Sequence, residues 1–323
     1  MRFLENGCTD ARRNMAFDEY CLQHGAADGP FFYLWRNAPS VIIGLNQNVW
    51  SEVNVPYIEE HGICLARRVT GGGAVYHDLQ NLNYSIIRPL GHSGCTDAVG
   101  LVADALRQMG VPAETGGRND IFVEGRKVSG YARRVWKDRE IIHGTLMFDV
   151  DIATLSKVLD VPGSKMNAKG IASVHSRVAN LKEYLPECRG VMDLKDRLQA
   201  ILAGGDSEIP AGSDMQEAVD LICRSKFATW EWNYGHSAKA DIVRSAHLAC
   251  GTVEASICID RGLITGISFD GDFIGSLPAA GLAARLEGVR YSRMDVAGAV
   301  AAAGAEHYFD GTGADEIAAL ITG

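Results

Sequence analysis

The stretch Arg67-Arg68-Val69-Thr70-Gly71-Gly72-Gly73-Ala74-Val75-Tyr76-His77-Asp78 joins two arginines to three consecutive glycines and then to a strand-like run. Three glycines in a row weaken any regular element, so the segment reads as a loop. Without Cβ atoms its backbone can approach a ligand closely and turn successive N–H groups toward phosphate oxygens, while guanidinium groups add planar, charged donors. A flexible turn carrying two solvated arginines accounts for the glycines alone just as well. The pattern lacks both the Gly-Lys-Ser/Thr of a P-loop and the spaced glycines of a dinucleotide fingerprint, so those nucleotide folds are excluded.

On either side of the loop, residues 31–35, 41–43 and 84–87 are short apolar runs rich in aromatic and β-branched residues, bounded by Gly, Pro or Asn, and read as strands. Residues 14–24 read as a helix capped by Asn14. Apolar positions from Ala98 to Met109 follow helical spacing up to Gly110 and Pro112. Residues 121–123 and 127–132 flank Glu124-Gly125, where the glycine can take the left-handed conformation of a tight hairpin, and 141–150 form a further strand. Helices are expected over 151–159, 193–202 and 214–223. Gly, Asp, Pro and Ser cluster over 203–213, which sets the expected domains at 1–210 and 215–323. In the second, Val253, Ala255, Ile257 and Ile259 alternate and meet residues 263–269 across Asp260-Arg261-Gly262. The expected fold class is α+β: mixed and antiparallel sheets packed with helices in a large domain, then a smaller α+β C-terminal domain.

The 323 residues are 47% apolar, enough for one large core and a second, smaller one. No apolar run reaches the roughly 18 residues of a membrane helix, and no secretory leader pattern opens the chain, so a cytoplasmic protein with no membrane partner is expected. The eight cysteines are scattered and read as reduced, mostly buried thiols. A net charge of −9 argues against broad nucleic-acid binding, although Arg126, Lys127, Arg133, Arg134, Lys137 and Arg139 form one basic strip.

Lys127 sits just past the hairpin turn, with Val128 on the opposite face if the strand is regular. Arg118, Asn119 and Asp120 precede the hairpin, and Gly130 leaves room for a ligand or another backbone. A strand lysine beside a phosphate loop is a charge clamp.

The segments "RRVTGGGAVYHD" (67–78), "GRNDIFVEGRKVSGYA" (117–132), "HGTLMFDVD" (143–151) and "AKGIASVHSRVANL" (168–181) resemble the ordered motifs of the bacterial lipoate-protein ligases, in the biotin/lipoate protein ligase superfamily. "WEWNYG" (230–235) and the residues after it resemble the accessory domain of those enzymes. The resemblance implies a catalytic domain followed by that accessory domain. It implies an ATP-dependent ligase that makes lipoyl-adenylate and passes the lipoyl group to a lysine of a lipoyl domain. Acceptors of that kind are the E2 subunits of 2-oxoacid dehydrogenases and the glycine cleavage H protein. Lys127 matches the essential lysine and would touch both lipoate and nucleotide. Arg68 and the backbone of Gly73, Ala74, Val75 and Tyr76 match positions that hold ATP; Gly72 and His143 fall beside lipoate. His77 and Asp78 are candidates for orienting the loop, Asn119 for support, and Asp120 for Mg²⁺ on pyrophosphate. Lys165 and Lys169 belong to a segment that would cover the adenylate, and Ser176 and Arg177 to the far wall. The basic strip would dock an acidic acceptor domain, and the second domain would move after adenylation. The alternative is a lipoyl or octanoyl transferase using a preformed acyl donor without ATP. Similar transferases carry a cysteine shortly before the hairpin, and residues 113–120 contain none.

Overall fold

The computed structural model describes residues 1–25, 29–45, 47–91, 95–116, 120–159, 178–235, 240–273 and 275–323. They fall into two compact units, and the fold is α+β as expected.

The first unit is built on an eight-stranded sheet. Its strands are β1 (Arg2–Leu4) and β2 (Phe31–Trp35), with β6 (Asn81–Pro89), β7 (Ala113–Gly116), β8 (Asp120–Val123), β9 (Arg126–Trp136), β10 (Arg139–Met147) and β11 (Glu208–Ile209). The spatial order is β11-β1-β2-β6-β10-β9-β8-β7. β3 (Ser40–Ile43), β4 (Cys64–Arg67) and β5 (Val75–His77) make a separate small sheet in the order β4-β3-β5. β6 and β10 pair over their whole length, and their nearly continuous burial reflects a sheet covered on both faces. The helices Cys95–Gln108 and Val191–Ala203 join the core behind it, around Leu82, Ile86, Val102, Leu106 and Leu198.

The helix anticipated at residue 14 starts earlier, spanning Ala11–His24. Asp10 caps it by accepting from Arg13 N–H at 2.9 Å, which frees Asn14 to lie buried within the first turn. The hairpin forms where expected, with Glu124 (φ +50°) as well as Gly125 (φ +75°) in the left-handed region.

β9 is not the regular strand assumed. Phe122 pairs with Lys127 but Ile121 pairs with Ser129, so Val128 is an extra residue, and Val128 and Ser129 are both buried in succession. Such a bulge bends the strand and re-aims the side chain beside it. At Gly130 and Tyr131 the strand also exchanges partners, since Asp120 of β8 pairs with Gly130 while Gly144 of β10 pairs with Tyr131.

The basic strip is not a free charged edge. Arg126 donates to Glu183 and Tyr184, Arg133 to Glu140, Arg134 to the Val69 carbonyl, and Arg139 to the Gly25 carbonyl.

In the second unit a meander of β12 (Ala240–Leu248), β13 (Gly251–Asp260) and β14 (Leu263–Gly271) carries the alternating residues Val253, Ala255, Ile257 and Ile259 on its buried face. The helices Ala280–Leu286, Arg293–Ala303 and Ala314–Thr322 complete it. The short helices Val49–Glu52 and Val55–Glu60, distant in sequence, belong to this unit as well. Trp50 meets Tyr291 edge-on at 4.6 Å, while Trp230 stacks on Tyr234 at 4.0 Å.

Inside the first unit, Arg88 Nε donates to Glu140 Oε1 at 2.6 Å with both side chains buried. Truncation of Glu140 strands a buried guanidinium without its carboxylate. Glu140→Ala is expected to cost about 3–5 kcal/mol, read as a lowered urea midpoint in unfolding followed by tryptophan fluorescence.

Candidate active site

Both arginines of the glycine loop are buried, which rules out the solvated turn. Arg67 Nη1 donates to the carbonyls of Gly44 and Leu45 at 3.0 and 3.1 Å. Arg68 turns its whole fork on the loop and its neighbour strand. Nε donates to Thr70 Oγ1 (3.0 Å), Nη1 to the Ile42 carbonyl (3.0 Å), and Nη2 to the carbonyls of Gly71 (2.7 Å) and Gly73 (2.8 Å). Burial pulls both guanidinium groups down to about 10, so both remain charged at neutral pH.

Gly72 has φ +95°, and a Cβ there would lie 2.9 Å from Arg68 Nη2. At Gly44, just past the end of β3, a Cβ would collide with the Gly72 carbonyl oxygen. These two glycines let the loop close on β3.

The loop forms one side of a cavity of about 320 Å³. Small-molecule sites start near this size, at about 300 Å³. Gly72, Gly73, Ala74 and Val75 face it from the loop. Lys127, Gly130, Tyr131 and Ala132 face it from β9, and His143, Gly144 and Thr145 from β10, where β9 changes partners. Lys127 lies across Gly130, whose missing Cβ would sit 2.9 Å from Nζ. Nζ is paired with Asp120 Oδ1 at 2.6 Å in a partly exposed position, 40% and 24% for the two side chains. Asp120 is the only carboxylate among the described lining residues. The other end is walled by Met15, Trp35, Ile42, Asn83 and His77, all buried.

A buried relay ties this wall to the loop. Asp18, on the Ala11–His24 helix, accepts from Tyr33, from Ser85 at 2.9 Å and from His143 Nδ1 at 2.6 Å. His143 Nε2 in turn meets Thr70 Oγ1 at 2.7 Å, the same hydroxyl that accepts from Arg68.

The cavity therefore combines the buried apolar groups of Met15, Trp35 and Ile42 with a partly exposed ammonium group, a buried guanidinium and the exposed glycines of the loop. The sequence pattern of the Lipoyl protein ligase A/B catalytic domain matches residues 10–203, and that of the bacterial lipoate protein ligase C-terminus matches residues 237–321. The chain belongs to the lipoate-protein ligase family. It is 36% identical over 330 residues to lipoate-protein ligase LplJ of Bacillus subtilis, covering 99% of this chain and all of that one. Among solved structures it is similar to a bi-partite lipoate protein ligase from Thermoplasma acidophilum, studied with its E2 lipoyl domain. There the TM-score is 0.66 and the identity 30%, over 74% of this chain and 98% of that one. It is also similar to lipoate-protein ligase A bound with ATP, with a TM-score of 0.63 and 28% identity, over 73% and 98% of the two chains.

The ligase cavity gathers Arg68, Gly72, Gly73, Ala74, Val75, His77, Asp120, Lys127 and His143 of the residues singled out in the sequence. Tyr76 is placed elsewhere, paired with Val41 in the small sheet. Asp78 also stands outside, accepting from the N–H groups of Gln80 (2.8 Å) and Asp151 (3.0 Å), and so holds the turn into β6. Arg118, Asn119, Lys165, Lys169, Ser176 and Arg177 lie outside the described residues. No cluster of three or more metal-ligating side chains exists among the described residues.

Sequence reasoning missed Asp18, Thr70, Met15, Trp35 and Asn83. Asp18 did leave a signal, because it stands among Met15, Phe17, Cys21 and Leu22 on the buried face of its helix, where a lone carboxylate needs partners.

His77, buried beside Arg68 and His143, has its pKa pulled from 6.5 to about 3, chiefly by desolvation. Below pH 6.5 the unfolded chain binds a proton that the folded chain refuses until about pH 3, so this contribution is complete above 6.5 and is lost as the pH falls. Unfolding free energy is expected to decline by up to about 1.4 kcal/mol per pH unit from this group, and His77→Gln to flatten that slope in urea melts from pH 7 to pH 4. Gly72→Ala, forced to φ +95° against Arg68, is expected to lose at least about 1 kcal/mol. Gly71→Ala, with open space and ordinary φ, should match the parent in the same melts.

Proposed function

We propose that this chain activates lipoate with ATP and transfers the lipoyl group to a lysine of acceptor lipoyl domains. The carrying observation is that Lys127 and Gly72 to Val75 line one cavity with the buried apolar side chains of Met15, Trp35 and Ile42. In the first step a carboxylate oxygen of lipoate attacks the α-phosphorus of ATP and pyrophosphate leaves. Two anions must be brought together, which requires fixed positive charge more than a proton-transfer group. Lys127 stands at the mouth where both would meet, and Arg68 adds a buried charge behind the loop. In the second step the acceptor lysine attacks the carbonyl carbon and AMP departs.

Lys127 exchanges Asp120 for the substrates in this scheme. Asp120, so released, would be the residue to hold Mg²⁺, which would neutralise charge on the departing pyrophosphate. His143 and Gly72 border the acyl chain, and His77 and Asp78 hold the loop and the following turn.

The domains we assign are a catalytic one over 1–210 and an accessory one over 215–323. E2 lipoyl domains and the glycine cleavage H protein are the acceptors, and the cytoplasm is the setting. No helix among the described residues is long and apolar enough to cross a membrane. A thioester transferase needs a thiolate at the site, and no cysteine is among the described lining residues.

With ATP, free lipoate and a lipoyl domain, the protein is expected to release pyrophosphate and lipoylate the acceptor. Lys127→Ala should slow both by about 10²–10³-fold, the cost of removing one preorganised charge-stabilising group. Transfer from supplied lipoyl-adenylate without any pyrophosphate release would establish the transferase instead.

A further inference from the structure

Each hydrogen in the relay that starts at Asp18 has one place to go. Trp35 Nε1–H donates to Ser85 Oγ at 2.9 Å, so the Ser85 hydroxyl spends its own hydrogen on Asp18 Oδ1, also at 2.9 Å. Tyr33 donates to the same oxygen; burial and the Asp18 charge push its phenol up, which keeps it a donor. Asp18 Oδ2 accepts from His143 Nδ1 at 2.6 Å. A carboxylate only accepts, so Nδ1 carries the proton and Nε2 of the neutral ring is left bare. Nε2 faces Thr70 Oγ1 at 2.7 Å, which must give it the hydroxyl hydrogen. The Thr70 oxygen is then purely an acceptor for Arg68 Nε–H at 3.0 Å, and Arg68 in turn holds the carbonyls of Gly71 and Gly73. The direction of every bond from the first helix to the glycine loop is thus set at Asp18, a buried residue that is not among the described lining residues of the cavity.

An amide of the same shape reverses this direction. In Asp18→Asn the Tyr33 and Ser85 hydroxyls claim the amide oxygen, so the NH₂ group faces His143 Nδ1. That nitrogen must then accept, and the ring proton moves to Nε2. Thr70 Oγ1 now receives two donors while its own hydrogen has lost its acceptor. The mismatch falls on the junction that fixes Arg68.

We infer that Asp18 is a positioning residue for acid activation: its charge, acting through the His143 tautomer, orients the Thr70 hydroxyl and with it Arg68 and the glycine loop. The inference rests on the ligase reading, which gives the loop its task.

The test combines ¹⁵N-histidine spectra with kcat/KM for ATP-dependent pyrophosphate release from lipoate. In the wild type His143 is expected as the Nδ1–H form with a bare Nε2. Asp18→Asn should convert it to the Nε2–H form and lower kcat/KM by about 10²-fold, the cost of a small misplacement at a reacting site. Because Asp18 acts through the Thr70 hydroxyl, adding Asp18→Asn to Thr70→Val should cost less than about 3-fold more. A parent rate in folded Asp18→Asn, an unchanged tautomer, or an equal loss on both backgrounds overturns the inference while leaving the ligase reading intact. Absence of pyrophosphate release from the wild type removes that reading, and this inference with it. If Asp18→Asn does not fold, spectra of Thr70→Val decide. His143 should keep its Nδ1–H there, since Asp18 holds it, and a change to the Nε2–H form overturns the inference.

Discussion

The site depends on one buried guanidinium. The glycine loop has no side chains with which to pack, so its shape must come from its carbonyls, and Arg68 collects those of Gly71 and Gly73 while bonding the Ile42 carbonyl of the neighbouring strand. Carbonyl dipoles satisfy the donors but do not cancel the charge, and among the described residues Arg68 has no carboxylate within ion-pair distance. One residue therefore does two things. It shapes the loop through hydrogen bonds and leaves a net positive charge in a low-dielectric wall, where an anion is attracted more strongly than in water.

The loop must also stand in register with Lys127, which lies on the other sheet. Asp18 supplies the link, because its carboxylate accepts from Tyr33 on β2, Ser85 on β6 and His143 on β10, and His143 hands the connection on to Thr70 of the loop. A single carboxylate on the first helix thereby gathers three strands of the large sheet and, through one imidazole, the loop of the small sheet. Each lone pair it directs inward is matched by a donor, as burial demands. On the opposite side the bulge at Val128 and the change of partner at Gly130 interrupt the regular pairing of the large sheet just beside Lys127.

Elements ruled by local chemistry were legible in the sequence. The turn at Glu124-Gly125, the helix ending at Gly110 and the alternation from Val253 to Ile259 follow from neighbours within a few residues. The motif order was likewise legible, and it led to the family. Features set by distant partners were not. Asn14 has the chemistry of a cap, yet its partners Arg36 and Asn37 lie 22 and 23 residues away. Nothing in Arg67-Arg68 distinguishes solvated cations from struts, since their acceptors are backbone carbonyls that every residue carries. The helices Val49–Glu52 and Val55–Glu60 join the second unit through Trp50 and its aromatic neighbours, a choice no local pattern announces. The bulge in β9 is one inserted residue, invisible in composition.

The charged and polar pairs are graded by burial. His143 with Asp18 and Arg88 with Glu140 are buried, so separating either would leave a polar or charged group unpaired in a medium that penalises it by several kcal/mol. Lys127 with Asp120 is partly exposed, and such a pair contributes about 0–1 kcal/mol. The costly contacts therefore hold the loop and the strands in fixed relation, and the weak one sits on Lys127, which lines the cavity. A carboxylate or phosphate arriving at the mouth needs to outcompete only Asp120 for Lys127. The remaining charge, on Arg68, is already in place before any ligand enters, which is the preorganisation that the proposed joining of two anions requires.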